Sequence, residues 1–184
     1  MINNGLSSST SNTTSTTTIT FRISKQYEEY LRKRAKQDKV SINIIANKIL
    51  GEYIEWLQFI EKFGTIILSK DAFSALVKVI DEKELISLAI KIGQKTPKEF
   101  ILFKWKKITD RNVIEFIKMF SHHCMNAECD YNTTPDNKIT ISLKHNMGRK
   151  VSIFLKYYIQ SIIQETLKRD SETEIMENLI TINF

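Results

Sequence analysis

An α+β fold is predicted for this chain of 184 residues. Some segments have the 3.6-residue apolar period of amphipathic helices, and others have the two-residue period of strands. These two kinds of segment are segregated along the chain rather than regularly alternating, and we find no internal repeat. The length suits a small module followed by a second compact domain, which we place at residues 17–63 and 65–184.

Composition and charge restrict the classes of function. Apolar residues make up 42% of the chain and charged residues 26%, which is normal for a globular protein. The net charge of +6 favours polyanionic partners. Two cysteines do not make a disulfide framework, and the sequence has neither an apolar run long enough to span a membrane nor a signal peptide. We therefore expect a cytoplasmic protein without a membrane partner.

Residues 1–16 are predicted to be a disordered tail. They carry no charge, and the stretch Ser7–Thr18 is serine or threonine throughout except for Asn12. Such a composition offers no apolar surface to offset the loss of chain entropy on folding.

A strand and two helices are predicted for the module. Apolar and polar residues alternate over 18–23, as in a half-buried strand. Ser24 is a suitable N-cap for a helix to about Gln37. After the turn Asp38–Val40, Ser41 is placed to cap a longer apolar helix that continues to about Phe63, where Gly64 ends it.

Helices and short strands are predicted for residues 65–184. An apolar run over 65–68 resembles a strand, and Ser69 follows as the cap of a helix to Ile80. The later predicted elements are a helix over 81–92 closed by Gly93, a helix starting at Pro97, a helix capped by Asp110, strands over 124–131 and 138–145 joined by a turn-rich linker, a helix over 151–167 and a strand over 179–184.

The strand over 18–23 requires a partner, because a single strand leaves its backbone groups and its apolar face unsatisfied. A second copy of the chain can supply both. Antiparallel pairing across a twofold axis would turn Ile19, Phe21 and Ile23 toward the helices. The opposite face of this two-stranded ribbon would present Thr18, Thr20 and Arg22 from each copy, in a shape that fits the major groove of DNA.

This succession of strand and two helices over 17–63 resembles the ribbon-helix-helix family of DNA-binding proteins. The resemblance implies that Thr18, Thr20 and Arg22 contact bases. It also implies that Ser41, Ile42 and Asn43, at the start of the second helix, hold a phosphate, which agrees with the anion affinity of helix N-termini. The family often has a glycine between its two helices; here the turn is Asp38-Lys39-Val40, in which Asp38 can occupy the left-handed conformation, although less readily than glycine.

Charge agrees with this assignment. Between residues 17 and 40 there are seven basic residues and three acidic ones, and Lys25 and Lys39 are among the expected phosphate contacts. A helix-turn-helix is the closest rival, but its recognition helix must expose polar side chains. The second helix here is dominated by Ile42, Ile45 and Ile49, which suits a dimer core.

A metal or thiol site is a weaker hypothesis for the second domain. The candidate ligands are His122, His123, Cys124, Cys129 and His145. On a regular strand Cys124 and Cys129 would point to opposite faces, which argues against a shared ion. His145 ends an apolar strand face, where a hydrogen-bonded structural role is the simpler interpretation, and the helix start that follows it could bind an anion. We find no nucleophile with an adjacent base, no paired carboxylates and no nucleotide fingerprint, so we expect no enzyme activity and no cofactor.

The sequence thus predicts a homodimeric or tetrameric regulator of transcription that binds double-stranded DNA. Two alternatives stay open. One is an antitoxin-like regulator whose C-terminal part binds a protein partner. The other is a sensor of a metal, thiol or small ligand through residues 65–184.

Overall fold

A computed structural model describes residues 16–134, 136 and 138–184. The chain forms two compact units, Met1–Leu50 and Gly51–Phe184, which we call the N-terminal and C-terminal units. Helices and one antiparallel sheet make up the fold, which confirms the α+β class. The predicted disordered tail lies outside the described residues except for Thr16. No helix in the described part of the chain is long and apolar enough to cross a membrane.

Helix α1 of the N-terminal unit spans Lys25–Asp38. It starts where the sequence predicts, because the Ser24 hydroxyl accepts a hydrogen bond from the N–H of Tyr27 at 3.4 Å. The left-handed residue that ends the helix is Lys39, with φ 55°, and not Asp38, the residue that the sequence analysis considered for this conformation. The N–H of Lys39 returns to carbonyls of the last helical turn, which stabilises this end.

Helix α2 spans Ile42–Glu52, so the division between the units falls within its last turn. A short π-helical segment, Tyr53–Leu57, and helix α3, Gln58–Phe63, follow without a break. Gly64 ends α3 in the left-handed region, at φ 61°. The predicted helix from Ser41 to Phe63 is therefore confirmed. The spacing of its apolar residues does not indicate the π-helical segment within it.

Helix α4 spans Lys70–Val79 and starts at the predicted cap, since the Ser69 hydroxyl accepts from the N–H of Ala72 at 3.2 Å. The strand predicted over 65–68 is wrong. This segment is irregular, and Ile66 and Ile67 are more than four-fifths exposed. An apolar run of this length does not by itself supply the hydrogen-bonding neighbour that a strand needs.

Helix α5 is continuous over Glu82–Trp105, so the predicted break between Gly93 and Pro97 is wrong. Gly93 is buried at the closest approach of α5 to a later helix: a Cβ at this position would lie 2.6 Å from the carbonyl oxygen of Tyr158. The glycine is therefore required by helix packing rather than by a helix end. Pro97 is also buried, and the helix continues through it although proline within a helix usually carries a cost.

Helix α6 spans Asp110–Met125. Its N-cap is Thr109 rather than the predicted Asp110, because the Thr109 hydroxyl accepts from the N–H of Asn112 at 3.2 Å. Cys124 belongs to the last turn of this helix, so the strand predicted to begin there is wrong at its start. Strand β1 begins four residues later and spans Glu128–Thr133.

One four-stranded antiparallel sheet completes the C-terminal unit. Strand β2 spans Ile139–Lys144, helix α7 Arg149–Leu167, strand β3 Glu172–Ile175 and strand β4 Leu179–Asn183. The strands are ordered β1-β2-β4-β3. The predicted hairpin, the long helix and the final strand are confirmed. The sequence did not predict β3, which pairs only at the edge, with Thr173 opposite Ile182.

The core lies where α7 packs against one sheet face and α5 packs on α7. The fully buried side chains of this core include Ile141 and Leu143 of β2, Ile180 and Ile182 of β4, Leu155, Ile159 and Ile162 of α7, and Ile101 of α5. The strand positions alternate as a half-buried sheet requires. The other sheet face is polar, with Thr140 bonded to Asn183 across β2 and β4.

Candidate nucleic-acid interface

The segment 18–23 that the sequence assigns to DNA contact is exposed and has no strand partner among the described residues. Thr18, Thr20 and Arg22 are all solvent-accessible. The backbone reaches Ser24 in an extended conformation, with φ −64° and ψ 148°. The ribbon-helix-helix arrangement itself remains a prediction, because it would pair this segment with the same segment of a second chain.

The N-terminal unit buries very little apolar surface by itself. Among its described residues only Ala35 is buried. Ile19, Phe21 and Ile23 are 66%, 61% and 51% exposed. The second helix also exposes apolar side chains, namely Ile44, Ile49 and Leu50. An exposed apolar surface of this extent is typical of a protein–protein contact surface.

The start of α2 leaves backbone donors free. The Ser41 hydroxyl accepts from the N–H of Ile44 at 3.3 Å. No described residue accepts a hydrogen bond from the N–H of Ile42 or of Asn43. These two donors point along the helix axis at its positive end, where an anion is favoured. Ser41 orders the first turn and thereby fixes the direction of both N–H groups.

The seven basic residues of 17–40 divide into two groups. Three are in ion pairs one helical turn apart: Lys25–Glu29, Arg32–Glu28 and Arg34–Asp38. The other four, Arg22, Lys33, Lys36 and Lys39, have no carboxylate partner among the described residues. Exposed pairs of this kind contribute little to stability. The unpaired cations give the unit a positive surface that is free to approach phosphate groups.

The histidines and cysteines predicted as possible ligands are only partly brought together. His122, His123, Cys129 and His145 line one open cleft of about 1430 Å³ in the C-terminal unit. Cys124 lines a separate apolar cavity of about 490 Å³. In the described part of the chain no three His, Cys, Asp or Glu side chains converge as ligands of one metal ion.

His123 is held by packing rather than aimed at a ligand. Its ring stacks on Trp56 with the two centroids 5.0 Å apart, and Nδ1 lies 2.9 Å from the Glu52 carboxylate. Burial lowers the pKa of His123, and the attraction of Glu52 opposes this effect only in part. The His122 ring is exposed and meets His123 edge to face, with their centroids 4.7 Å apart.

His145 directly follows β2 and has the hydrogen-bonded structural role that the sequence favours. Its Nδ1 accepts from the N–H of Met147 at 3.2 Å, so the ring proton lies on Nε2, which is 2.9 Å from the Ser152 hydroxyl. Ser152 donates in turn to the carbonyl of Glu177 at 3.2 Å. Burial, followed by the charge of Lys70, lowers the pKa of His145, which favours the neutral ring.

The anion site expected at the start of the helix after His145 is already filled by the chain itself. The N–H of Gly148 donates to the side chain of Asn178 at 2.9 Å, and the N–H of Arg149 donates to the Glu177 carboxylate at 3.3 Å. The prediction of a free anion site at α7 is therefore wrong. Glu177 and Asn178 precede β4 by one or two residues, and their sequence gives no signal of this contact.

Aromatic residues near the apolar cavity form a packed cluster, as the sequence analysis favoured. Phe100 contacts Trp56, Phe59 and Phe63, with ring centroids 5.2 to 6.0 Å apart. Such tilted contacts are typical of aromatic cores. The cavity beside this cluster is lined mainly by apolar side chains, including Phe73 and Phe154.

Sequence reasoning missed the cationic side chains of the open cleft, among them Lys107 and Arg111. The run Lys104-Trp105-Lys106-Lys107 was an available signal, because interleaved basic and aromatic residues are typical of nucleic-acid contacts. No protein-family model matches the chain, and no curated protein matches its sequence. Its function is therefore inferred from its own side chains.

Proposed function

We propose that the protein is a homodimeric, sequence-specific DNA-binding regulator in which paired 18–23 segments enter the major groove. One observation carries the proposal: the exposed segment alternates in polarity and precedes two capped helices, and Ala35 is the one buried residue in the described part of this unit. A second copy would cover Ile19, Phe21 and Ile23 and leave Thr18, Thr20 and Arg22 outside.

The energetics favour dimerisation of this unit. Full burial of an apolar side chain contributes about 1.5 to 3 kcal/mol, and a half-exposed one still has about half of this to gain. Six such side chains per protomer are 41 to 66% exposed: Ile19, Phe21, Ile23, Ile44, Ile49 and Leu50. Their combined gain is large enough to offset the entropic cost of association, about 4 to 15 kcal/mol.

The phosphate contacts follow from the same geometry. In the proposed complex the free N–H groups of Ile42 and Asn43, together with the Ser41 hydroxyl, hold one phosphate of each half-site. Lys25 and Lys39 add contacts that position the ribbon without selecting a sequence. A twofold dimer predicts an operator with palindromic or tandem half-sites.

Substitutions at two adjacent residues test the ribbon, because neighbouring side chains of a strand lie on opposite faces. Phe21→Asp places a charge on the face that the proposal buries, so the protein should become monomeric in size-exclusion chromatography with light scattering. Thr20→Asp places the same charge on the outward face, so this variant should remain dimeric and lose DNA binding by charge repulsion. A monomeric wild-type protein, or equal effects of both substitutions on the dimer, would show that the ribbon does not form.

Base contact by Arg22 is tested on a sequence selected from a random DNA pool. Arg22→Ala should cost about 1 to 3 kcal/mol of specific binding in a mobility-shift assay. The matched control is Lys36→Ala, which removes a cation without a carboxylate partner among the described residues and should weaken all sequences alike. Unchanged discrimination between specific and random DNA by the Arg22 variant would remove this residue as a base contact.

A second candidate function, the sensing of a small apolar molecule, is supported by the 490 Å³ cavity of the C-terminal unit. This size is within the usual range for small-ligand sites. The wild-type protein should enhance the fluorescence of Nile red, and Cys124→Phe, which fills the cavity wall, should reduce the enhancement. Equal dye binding by a variant with unchanged circular dichroism would argue against an apolar ligand in this cavity.

A further inference from the structure

The open cleft of the C-terminal unit carries an excess of positive charge. It lies between the C-terminal end of α5, the exposed side of α6 and the β1 and β2 ends of the sheet. Six cationic side chains line it: Lys70, Lys104, Lys107, Arg111, Lys118 and Lys144. Only three carboxylates accompany them: Glu55, Glu115 and Glu128.

The carboxylates neutralise one part of the cleft and leave another uncompensated. Lys118 pairs with Glu115 at 3.2 Å, and Lys144 pairs with Glu128 at 3.6 Å. For Lys107 and Arg111, by contrast, no described carboxylate lies within ion-pair distance. These two side chains flank the capped start of α6. The positive end of the cleft is therefore the one formed by α5 and α6.

Lys104 strengthens this end of the cleft. Its ammonium donates to the backbone carbonyl of Glu55 and lies 4.0 Å from the centroid of the Phe59 ring. Burial lowers the pKa of Lys104, with the attraction of Glu55 opposing it. Burial deprives this cation of part of its hydration, and a bound anion would stabilise the charge in place of the missing water.

The size of the cleft and the spread of its charges indicate the class of ligand. Its volume of about 1430 Å³ is larger than the roughly 300 to 1,000 Å³ of typical small-molecule pockets. The cations come from several elements that border it, from Lys70 of α4, which is bonded to Asn146, to Arg111 of α6 and Lys144 of β2. A linear polyanion matches such a distribution better than a single small anion does.

Ring side chains lie among these cations. Trp105 and His122 both line the cleft, and the His122 ring is exposed. A groove that combines cations with stacking rings is the usual arrangement for single-stranded nucleic acid. A single strand can place phosphates on the lysines and its unpaired bases on the rings, whereas the bases of a duplex are already paired and stacked on one another.

We propose that this cleft is a second nucleic-acid site, which binds the phosphodiester chain of single-stranded DNA or RNA without sequence preference. The site goes beyond the duplex contact of the N-terminal unit and does not depend on it. Lys107 and Arg111 are the principal phosphate contacts, and Trp105 and His122 provide base stacking.

Fluorescence anisotropy with a labelled oligothymidine of about twelve nucleotides tests the proposal on the full chain. The variant Lys107→Glu/Arg111→Glu should bind at least roughly tenfold more weakly at about 0.1 M salt, and the slope of log K against log salt should fall by about 1.4, or 0.7 per lost phosphate contact. The matched control is Lys91→Glu/Lys95→Glu. These exposed lysines of α5 have the same four-residue spacing but do not line the cleft.

Variants of the cleft and of the proposed ribbon distinguish binding at the two sites. Arg22→Ala should leave oligothymidine binding unchanged, and the cleft variant should keep the ratio of specific to random duplex binding. The proposal is overturned if the cleft variant and the control variant weaken binding equally, since the change in net charge would then be responsible. It is also overturned if the cleft variant retains wild-type affinity. Competition by inorganic pyrophosphate at the same concentration as an unlabelled oligonucleotide would also overturn it, by indicating a small-anion site.

Discussion

The Gly93→Ala substitution tests the packing of α5 on α7, which determines the core of the C-terminal unit. An added Cβ would lie 2.6 Å from the carbonyl oxygen of Tyr158 and 2.9 Å from Cβ of Ser161. Both distances are far below van der Waals contact, and a backbone carbonyl in a helix cannot rotate away. Relief therefore requires the two helices to move apart along a buried interface.

The magnitude follows from two opposing effects. Overpacking a close-packed core costs about 1 to 3 kcal/mol, and a clash with backbone belongs at the upper end of this range. Within a helix, alanine is more favourable than glycine by about 1 kcal/mol of folding free energy. We therefore expect Gly93→Ala to lower the free energy of unfolding by about 1 to 2 kcal/mol, the difference between these effects.

Urea unfolding monitored by tryptophan fluorescence is a suitable assay, because Trp56 and Trp105, the two tryptophans of the chain, lie in the same unit as Gly93. Gly51→Ala is the matched control: Gly51 is also helical, but a Cβ there meets nothing within 4 Å. This control should be as stable as the wild type or up to about 1 kcal/mol more stable. If Gly93→Ala proves as stable as Gly51→Ala, the close approach of α5 and α7 is refuted.

Three further predictions concern stability. Burial lowers the pKa of His145 in the folded state, so the free energy of unfolding should fall as the pH drops below the ordinary histidine value of about 6.5. The variant His145→Asn keeps an acceptor for the N–H of Met147 but does not titrate. Its urea midpoint should therefore fall less than that of the wild type between neutral and acidic pH. Ile159→Ala should cost about 2 to 5 kcal/mol in urea unfolding, since Ile159 is fully buried in α7, and a loss below 1 kcal/mol would contradict its place in the core. Ser24→Ala should reduce helicity by circular dichroism and cost about 0.5 to 2 kcal/mol by removing the cap of α1, whereas Ser24→Gly should cost only a few tenths.

Local chemistry was sufficient to predict several helix boundaries. Ser24, Ser41 and Ser69 each begin a helix as predicted, because a serine hydroxyl satisfies a backbone donor within three residues of itself. Gly64 ends α3 because glycine adopts positive φ without a steric cost. The apolar stripe of α7 predicted a buried helix for the same reason: its period depends only on neighbouring turns.

Prediction failed where a distant segment decides the local structure. Residues 65–68 have the composition of a strand but no neighbour to pair with, whereas β3 pairs at the sheet edge despite alternating glutamates. Gly93 and Pro97 resemble a break between helices, yet packing against α7 keeps α5 continuous. The anion site expected at α7 was filled by Glu177, which lies 28 residues away along the chain.

The sequence by itself determined the order of the main helices, the β1–β2 hairpin and the exposed alternating segment with its two capped helices, because these features depend on residues within a few turns of one another. Only the tertiary structure decided that Lys104, Lys107 and Arg111 share a cleft with Lys70 and Lys144, and that His145 is bonded to Ser152. Folding brings together side chains that are far apart in sequence, and no local period records which of them will become neighbours.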